Sequence, residues 1–136
     1  MIFADASEDT NDVGKTIEIV RLNGERLLSG QHTILARRND ERLIVGFGGQ
    51  LFKSRKVRAQ IEKVAQGTKV YAISAKRLAD VIVSFPKDVN EQRTITGFFS
   101  SLEGQIASQS RKIERLKHHK KGLMQQLFPS AEEADL

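Results

Sequence analysis

Apolar residues recur at alternating intervals of four and three through the last third of the chain, from residue 95 to residue 127. This interval is that of a heptad repeat, which gives a helix one apolar stripe and predicts that the stripe packs against another helix. Two polar members, Gln109 and Lys120, are expected to lower stability while helping to fix register and oligomeric state. We call the whole set the seam: Ile95, Phe99, Leu102, Ile106, Gln109, Ile113, Leu116, Lys120, Leu123 and Leu127.

The seam lies in a segment that can form one long helix. Asp88 followed by Glu91 is a capping-box arrangement, and no proline occurs after Pro86 until Pro129. A helix of about forty residues is about 60 Å long, which is longer than a domain of this size can cover. The sequence therefore predicts a coiled-coil helix that pairs with a second helix, and a homodimer when the chain is isolated.

Upstream of this helix the pattern changes from segment to segment. Ile17 and Ile19 alternate with polar residues, and Asn23-Gly24 is a tight-turn dipeptide, so a hairpin or meander is predicted around that turn. The run LIVGFGGQLF at 43–52 fits either a buried strand or a short buried helix, because periodicity does not choose between the two. Its glycines are expected to allow close packing.

An amphipathic helix is predicted from residue 54 onward. Val57, Ile61 and Val64 fall on one face, and Gly67 is expected to end the helix. A short strand, a brief helix capped by Ser74 and a further strand, VIVSF, are expected to follow.

The prediction is thus an α+β chain in three parts: a small mixed alpha/beta domain over 1–86, the long helix over 87–128, and an acidic, disordered tail over 129–136. The chain has no cysteine, no apolar run near the roughly 20 residues of a membrane span, and no signal-like start. We therefore expect a cytoplasmic protein without a membrane partner.

The charge of the chain is positive and unevenly distributed. The formal net charge is +5 and the pI is about 9.7, which favours an anionic partner. The segment 110–125 carries an excess of Lys and Arg over its one acidic residue, Glu114. This segment is interpreted first as part of a coiled-coil helix. Its positive charge could contact partner subunits, contact DNA or only increase solubility, and the sequence does not choose among these roles.

No pattern in the chain predicts a catalytic residue, a metal site or a bound cofactor. His118 and His119 are adjacent on the predicted helix, so they point about 100° apart and cannot share a metal as an i, i+4 pair does. The glycines of GFGGQ match neither phosphate-binding glycine motif. The sequence therefore predicts a protein that is not an enzyme.

The C-terminal half resembles the conserved helical region of the specificity (S) subunit of type I restriction-modification enzymes. In that family a recognition domain ends in a strand and a proline, and an EQ-containing helix start and a terminal K-x-G-L-M-x-x-L-[LF] run follow. The corresponding residues here are Pro86, Glu91, Gln92 and the run from Lys120 to Phe128. Upstream, the Gly67-Thr68 turn and the Ile73-Ser74 cap are similar to the end of a target recognition domain, so the resemblance covers nearly the whole chain.

The resemblance implies a DNA-recognition and assembly subunit without activity of its own. In the family, recognition domains read a bipartite DNA site, and the long helices act as a spacer that also docks the methyltransferase (M) subunits. Those subunits bind S-adenosylmethionine, and the restriction (R) subunit joins the complex. A complete S subunit has two recognition domains and two helical regions, so this chain is expected to be a C-terminal fragment with a partial target recognition domain.

The same resemblance suggests which residues contact DNA. Basic residues of the partial recognition domain are candidates for phosphate contacts, and the turn glycine is a candidate for close approach of the backbone. The candidates are Arg37, Arg38, Lys53, Arg55, Lys56, Arg58, Gly67, Thr68 and Lys69. A free-standing homodimeric coiled-coil DNA-binding protein or regulator is the alternative, and the DNA sequence recognised and the direction of helix pairing stay open.

Overall fold

The computed structural model describes residues 1–39 and 41–128, and within them small antiparallel sheets are combined with helices, one of which is long and C-terminal. The predicted α+β class is confirmed, and the predicted acidic tail at 129–136 lies outside the described residues. The elements are β1 (Ile2–Ala4), β2 (Ala6–Ser7), β3 (Thr16–Ile17), β4 (Thr33–Leu35), α1 (Phe47–Lys53), α2 (Arg55–Val64), β5 (Tyr71–Ala72), α3 (Ala75–Ala79) and α4 (Val89–Leu127). They form two compact units that divide between Gly97 and Phe98, inside α4.

The first unit contains two small sheets. β1 is the central strand of the larger one, in the order β3-β1-β4, with Ile2 opposite both Ile17 and Leu35. The predicted hairpin or meander is therefore wrong, because the strands on either side of the turn each pair with β1 and not with each other. Asn23-Gly24 is nonetheless a tight turn with φ of 48° and 83°. β2 and β5 form the second, two-stranded sheet.

The core of the first unit is small and is organised around α2. Val57 and Ile61, on the predicted apolar face of this helix, are buried against Val13 and Ile73. Val64, from the same predicted face, is only partly buried against this cluster. Phe3, on β1, is also buried and packs its ring edge-on against Phe52, with ring centroids 5.0 Å apart.

The glycine-rich run 43–52 forms the short helix α1, which resolves the choice that periodicity left open. Gly46 precedes the helix in a left-handed conformation (φ 93°) and has no side chain with which to cap it. Glu18 caps the helix from outside, because its carboxylate accepts hydrogen bonds from the Gly46 and Gly49 N–H groups at 2.9 and 2.6 Å. A Cβ atom on Gly49 would lie 3.2 Å from the Glu18 Cβ, so this glycine permits the close packing that the sequence predicted.

Gly67 has a different role from the one predicted. α2 ends at Val64, and Gly67 lies in the following turn with φ of 146°. Paired backbone hydrogen bonds of 2.9 and 2.8 Å between Gln66 and Ala72 close this turn. A Cβ atom on Gly67 would overlap the Val70 carbonyl oxygen, so the turn requires glycine at this position.

The strand predicted for VIVSF is wrong, because residues 81–85 belong to no sheet. The Gln60 side chain takes the place of a neighbouring strand. Its amide nitrogen donates to the Ile82 carbonyl oxygen at 2.8 Å, and its amide oxygen accepts from the Ile82 N–H at 2.9 Å. The brief helix α3 is confirmed, and its predicted cap, Ser74, accepts a hydrogen bond from the Arg77 N–H.

The long helix α4 extends over 39 residues, from Val89 to Leu127. Asp88 caps it by accepting a hydrogen bond from the Asn90 N–H at 2.8 Å, which agrees with the predicted start. None of the helices in the described ranges is both long enough and apolar enough to cross a membrane.

Candidate nucleic-acid interface and exposed helix seam

The seam residues from Phe99 onward are exposed along α4. The exposed fraction of the apolar members ranges from 38% at Leu102 to 69% at Leu127, and Ile106 in the middle is 66% exposed. Fully burying a Leu or Ile side chain contributes about 1.5 to 3 kcal/mol relative to leaving it in water. A regular row of such side chains on one helix face is the pattern that a second helix covers.

The start of α4 is packed within the first unit. Gln92 is completely buried, and Ile95 is half-buried. Thr96 lies against Gly46, since a Cβ atom on that glycine would be 3.2 Å from the Thr96 Cγ2. The apolar stripe of α4 therefore begins inside the first unit and becomes exposed beyond it.

Gln92 fixes this first turn through three hydrogen bonds to other segments. Its amide oxygen accepts from the Ile44 N–H at 3.0 Å. Its amide nitrogen donates to the carbonyl oxygens of Arg42 and Pro86, at 2.8 and 2.7 Å. Both amide hydrogens and the oxygen thus have partners, which a buried amide requires.

The sequence analysis identified Gln92 only as part of a family motif and did not predict that its side chain attaches α4 to other segments. We call this buried, hydrogen-bonded contact the joint. A signal was present, because extending the seam backward by three residues from Ile95 reaches position 92. A polar residue at an expected apolar position can mark a buried hydrogen-bonded site.

Two of the DNA-contact candidates, Lys53 and Arg58, border a shallow depression of ≈ 670 Å³ on the larger sheet. Ile2, Ile17 and Phe52 contribute its apolar surface. The sequence analysis missed a third cation at this rim, Lys15, which is ion-paired with Asp12.

Arg58 is engaged in holding the first unit together. Its side chain is only 15% exposed, and its Nη2 donates to the carbonyl oxygens of Asn11 and Val13 at 2.9 and 2.8 Å. Glu62, one turn later on α2, lies 3.9 Å from the same nitrogen. The guanidinium therefore secures the loop between β2 and β3, whereas Lys53 at the same depression is exposed.

The remaining candidates are distributed over other parts of the first unit. Arg37 and Arg38 border a second depression of ≈ 400 Å³ with largely apolar walls, and the Arg38 Nη1 donates to the Leu43 carbonyl oxygen at 3.0 Å. The others line neither depression and are exposed: Arg55, Lys56, Gly67, Thr68 and Lys69. The candidates thus do not converge on one pocket, and an extended ligand would be needed to contact several of them.

The basic part of α4 lies on the exposed helix. Its seam member, Lys120, is exposed, and Lys117 donates to the Glu114 carboxylate at 2.8 Å. Within the described ranges, no three His, Cys, Asp or Glu side chains are grouped closely enough to hold a metal ion.

Comparisons with protein-family models, with curated proteins and with solved structures returned no match to this chain. The likeness to type I specificity subunits therefore rests on the motifs in the sequence. The joint at Gln92 and the exposed seam are observations of the chain itself.

Proposed function

We propose that this chain is a non-catalytic DNA-recognition and assembly module similar to a fragment of a type I restriction-modification specificity subunit. The observation that carries the proposal is the exposed heptad seam on a 39-residue helix. The first turn of that helix is held in the first unit by the hydrogen bonds of the buried Gln92 side chain. A long helix with an exposed apolar stripe fits a spacer that joins one protein surface to another.

The two units have separate tasks in this proposal. The first unit contacts DNA through exposed cations, among them Lys53, Arg55 and Lys56. The seam from Phe99 to Leu127 pairs with a second helix and contributes to docking of the methyltransferase subunit. That subunit supplies S-adenosylmethionine and the methyl transfer, and a restriction subunit joins through the complex. All of these partners act on DNA in the cytoplasm.

Isolated copies of the chain pair through the seam in antiparallel orientation. In a parallel pair, Lys120 would face Lys120 of the second copy across the seam, which places two like charges at an apolar interface. An antiparallel pair centred near Arg111 places Leu102 of the second copy opposite Lys120.

A free-standing homodimeric DNA-binding protein or regulator is the second candidate. It is favoured by the exposed cations of the first unit and of α4, since these can contact phosphates without a further subunit. The two candidates share the dimer and the DNA contact. They differ in whether the exposed surface of the paired helices binds a methyltransferase subunit.

The test is reconstitution with a type I methyltransferase subunit from the same organism. The purified chain and this subunit are mixed, and complex formation is followed by size-exclusion chromatography and by methyl transfer from labelled S-adenosylmethionine to genomic DNA. We expect a stable complex that methylates DNA, whereas either protein alone does not.

A control keeps the first unit intact and changes the seam, with Ile106→Asp and Ile113→Asp together. This variant is expected to lose both the complex and methyl transfer. A parent chain that dimerises and binds DNA but forms no complex would favour the free-standing regulator. A folded parent chain that binds neither DNA nor the methyltransferase subunit would contradict both candidates.

A further inference from the structure

The face of α4 opposite the seam carries a second feature between residues 111 and 121. In the heptad defined by the seam, Arg111 and His118 occupy the position farthest from it, and Arg115 and Lys121 occupy the two positions beside that one. All four side chains are exposed. We call these four residues the outer stripe. The acidic residue on this face, Glu114, accepts a hydrogen bond from Lys117 at 2.8 Å, so its charge is matched.

We propose that the outer stripe is a sequence-independent contact surface for the phosphate backbone of duplex DNA. The inference deepens the proposed function, on which it rests, by assigning a DNA contact to the helix in addition to the first unit. It concerns residues outside both the seam and the DNA-contact candidates of the first unit.

The spacing of the outer stripe suits a phosphate backbone. Residues 111 to 121 span about 15 Å of helix axis, with stripe residues about 4.5 to 6 Å apart along it. Each strand of duplex DNA presents one phosphate for about every 3.4 Å of its axis, so several phosphates lie within reach of this length of helix. Long Arg and Lys side chains adjust to the difference between the two spacings.

The composition of the same face disfavours a protein partner. Between residues 111 and 121, the positions away from the seam and its flanks hold Arg111, Glu114, Arg115, His118 and Lys121, and none of them is apolar. Protein interfaces usually have an apolar or aromatic centre, which this face lacks; Lys and Glu are depleted in such interfaces, although Arg is enriched. Contacts to phosphates need only charge and hydrogen-bond donors.

The outer stripe and the seam can be occupied together because they lie on opposite faces of one helix. A second helix on the seam leaves Arg111 and His118 accessible to solvent. DNA binding by the stripe therefore does not require the dimer to dissociate. In the antiparallel pair, the two copies present two such stripes.

The test compares two triple variants, each of which loses three positive charges. The stripe variant combines Arg111→Gln, Arg115→Gln and Lys121→Gln. The matched control combines Lys63→Gln, Lys76→Gln and Lys87→Gln, which change exposed residues of the first unit that are not DNA-contact candidates. Both are titrated onto a mixed-sequence duplex of about 30 base pairs, between about 50 and 200 mM salt, where counterion release governs affinity.

For the parent chain we expect a steep loss of affinity with salt. The slope of log K against log salt is negative, and each lost phosphate contact makes it less steep by about 0.9, so the loss of three contacts makes it less steep by about 2.7. The ratio of the binding constant at 50 mM salt to that at 200 mM salt is then about fortyfold smaller for the stripe variant than for the parent. The control variant is expected to keep a slope near that of the parent.

Three results would overturn the inference. One is a stripe variant with the slope of the parent, and another is an equal reduction in both variants, which would mean that only net charge matters. The third is a stripe variant that binds the duplex normally but no longer binds the methyltransferase subunit, which would make the stripe a protein-docking surface. Helicity and dimer mass are measured alongside, and both are expected to be unchanged because the substituted positions lie off the seam.

Failure of this inference can be told from failure of the proposed function. The duplex titration needs no methyltransferase subunit. If the outer stripe binds DNA but the chain forms no complex with the methyltransferase subunit, the inference stands and the proposed function fails. If the parent chain reconstitutes methylation but the stripe variant has the same salt dependence as the parent, the proposed function stands and the inference about the outer stripe fails.

Discussion

The first unit buries a set of its apolar residues, whereas α4 buries none beyond Gly97 in the part that the structure describes. In the first unit, Val13, Ile61 and Ile73 come from distant parts of the sequence and are buried together within one chain, although Leu28 and Ile82 are exposed. In α4 beyond Gly97, Ile106 and Ile113 follow a regular interval and are exposed. The buried cluster thus finds its partners within the chain, whereas the regular seam matches the repeat of another helix.

The same contrast occurs along the stripe of α4 itself. At its start, a polar residue, Gln92, is completely buried and fully hydrogen-bonded. Two turns later, apolar residues on that stripe are exposed. Exposure of the seam is therefore not a property of the whole helix. It begins where the contacts with the first unit end.

The largest expected effect comes from removing the joint at the start of α4. Gln92→Ala leaves two carbonyl groups and one N–H group without their partner in a buried site, which we expect to lower the free energy of unfolding of the first unit by about 3 to 5 kcal/mol. Tyr71 is the single tyrosine of the chain, there is no tryptophan, and Tyr71 lies in the first unit. Its fluorescence during urea denaturation therefore reports on that unit.

Gln92→Glu sharpens this prediction. A carboxylate cannot donate to the carbonyl oxygens of Arg42 and Pro86, so burial beside them raises the pKa of the introduced group in the folded state. A raised folded-state pKa means that the variant is closest to the parent below the unfolded pKa of about 4.3 and falls behind it as pH rises through the folded pKa. A stability difference from the parent that is the same at every pH would contradict the buried joint.

The next effect tests the turn after α2. Gly67→Ala puts a Cβ atom into the Val70 carbonyl oxygen at a φ of 146°, and we expect a loss of about 2 to 3 kcal/mol in the same denaturation measurement. Gly24→Ala is the matched control, because that glycine also has a positive φ but has open space around it. Equal losses in the two variants would show that the contact with Val70 is unimportant.

A smaller effect is expected at the polar interruption of the seam. Lys120→Leu replaces a charge on the seam with an apolar side chain, and we expect the dimer to bind about tenfold more tightly, or about 1.4 kcal/mol. Lys121→Leu, on the adjacent outer position, is expected to leave the dimerisation constant unchanged. Sedimentation equilibrium of both variants measures the two constants, and an equal effect at both positions would argue against the seam.

The smallest effect concerns a glycine within α4. Gly104 is on the exposed part of the helix, and nothing lies near the position of its missing Cβ atom. Gly104→Ala is expected to raise the stability of the helix by about 0.5 to 1 kcal/mol, because alanine restricts the unfolded chain more. The measurement is the thermal midpoint of the far-ultraviolet circular dichroism of the dimer, and a lowered midpoint would indicate a contact at this face.

Features that depend on local sequence could be predicted. The helix over most of 87–128 follows from the long interval without proline and from the cap at Asp88, and the α2 face follows from Val57 and Ile61. The cap of α3 at Ser74 is local as well. Each of these features depends on residues only a few positions apart.

Features that depend on distant segments could not be predicted. The pairing of β3 and β4 with β1, and the capping of α1 by Glu18, both join segments far apart in the chain. The side-chain amides of Gln60 and Gln92 bond to backbone groups that are distant in the sequence, and the sequence did not predict these bonds. The scattered placement of the DNA-contact candidates is likewise a property of the folded unit and not of their spacing.

Sedimentation velocity of the purified chain at about 20 µM tests the central claim most directly, since seam pairing stronger than micromolar makes the chain a dimer there. We predict a dimer for the parent and a monomer with parent-like Tyr71 fluorescence for the variant with Ile106→Asp and Ile113→Asp. A control with Ser101→Asp and Ser108→Asp, which adds the same charges off the seam, is predicted to stay dimeric. A folded, monomeric parent chain would contradict the account.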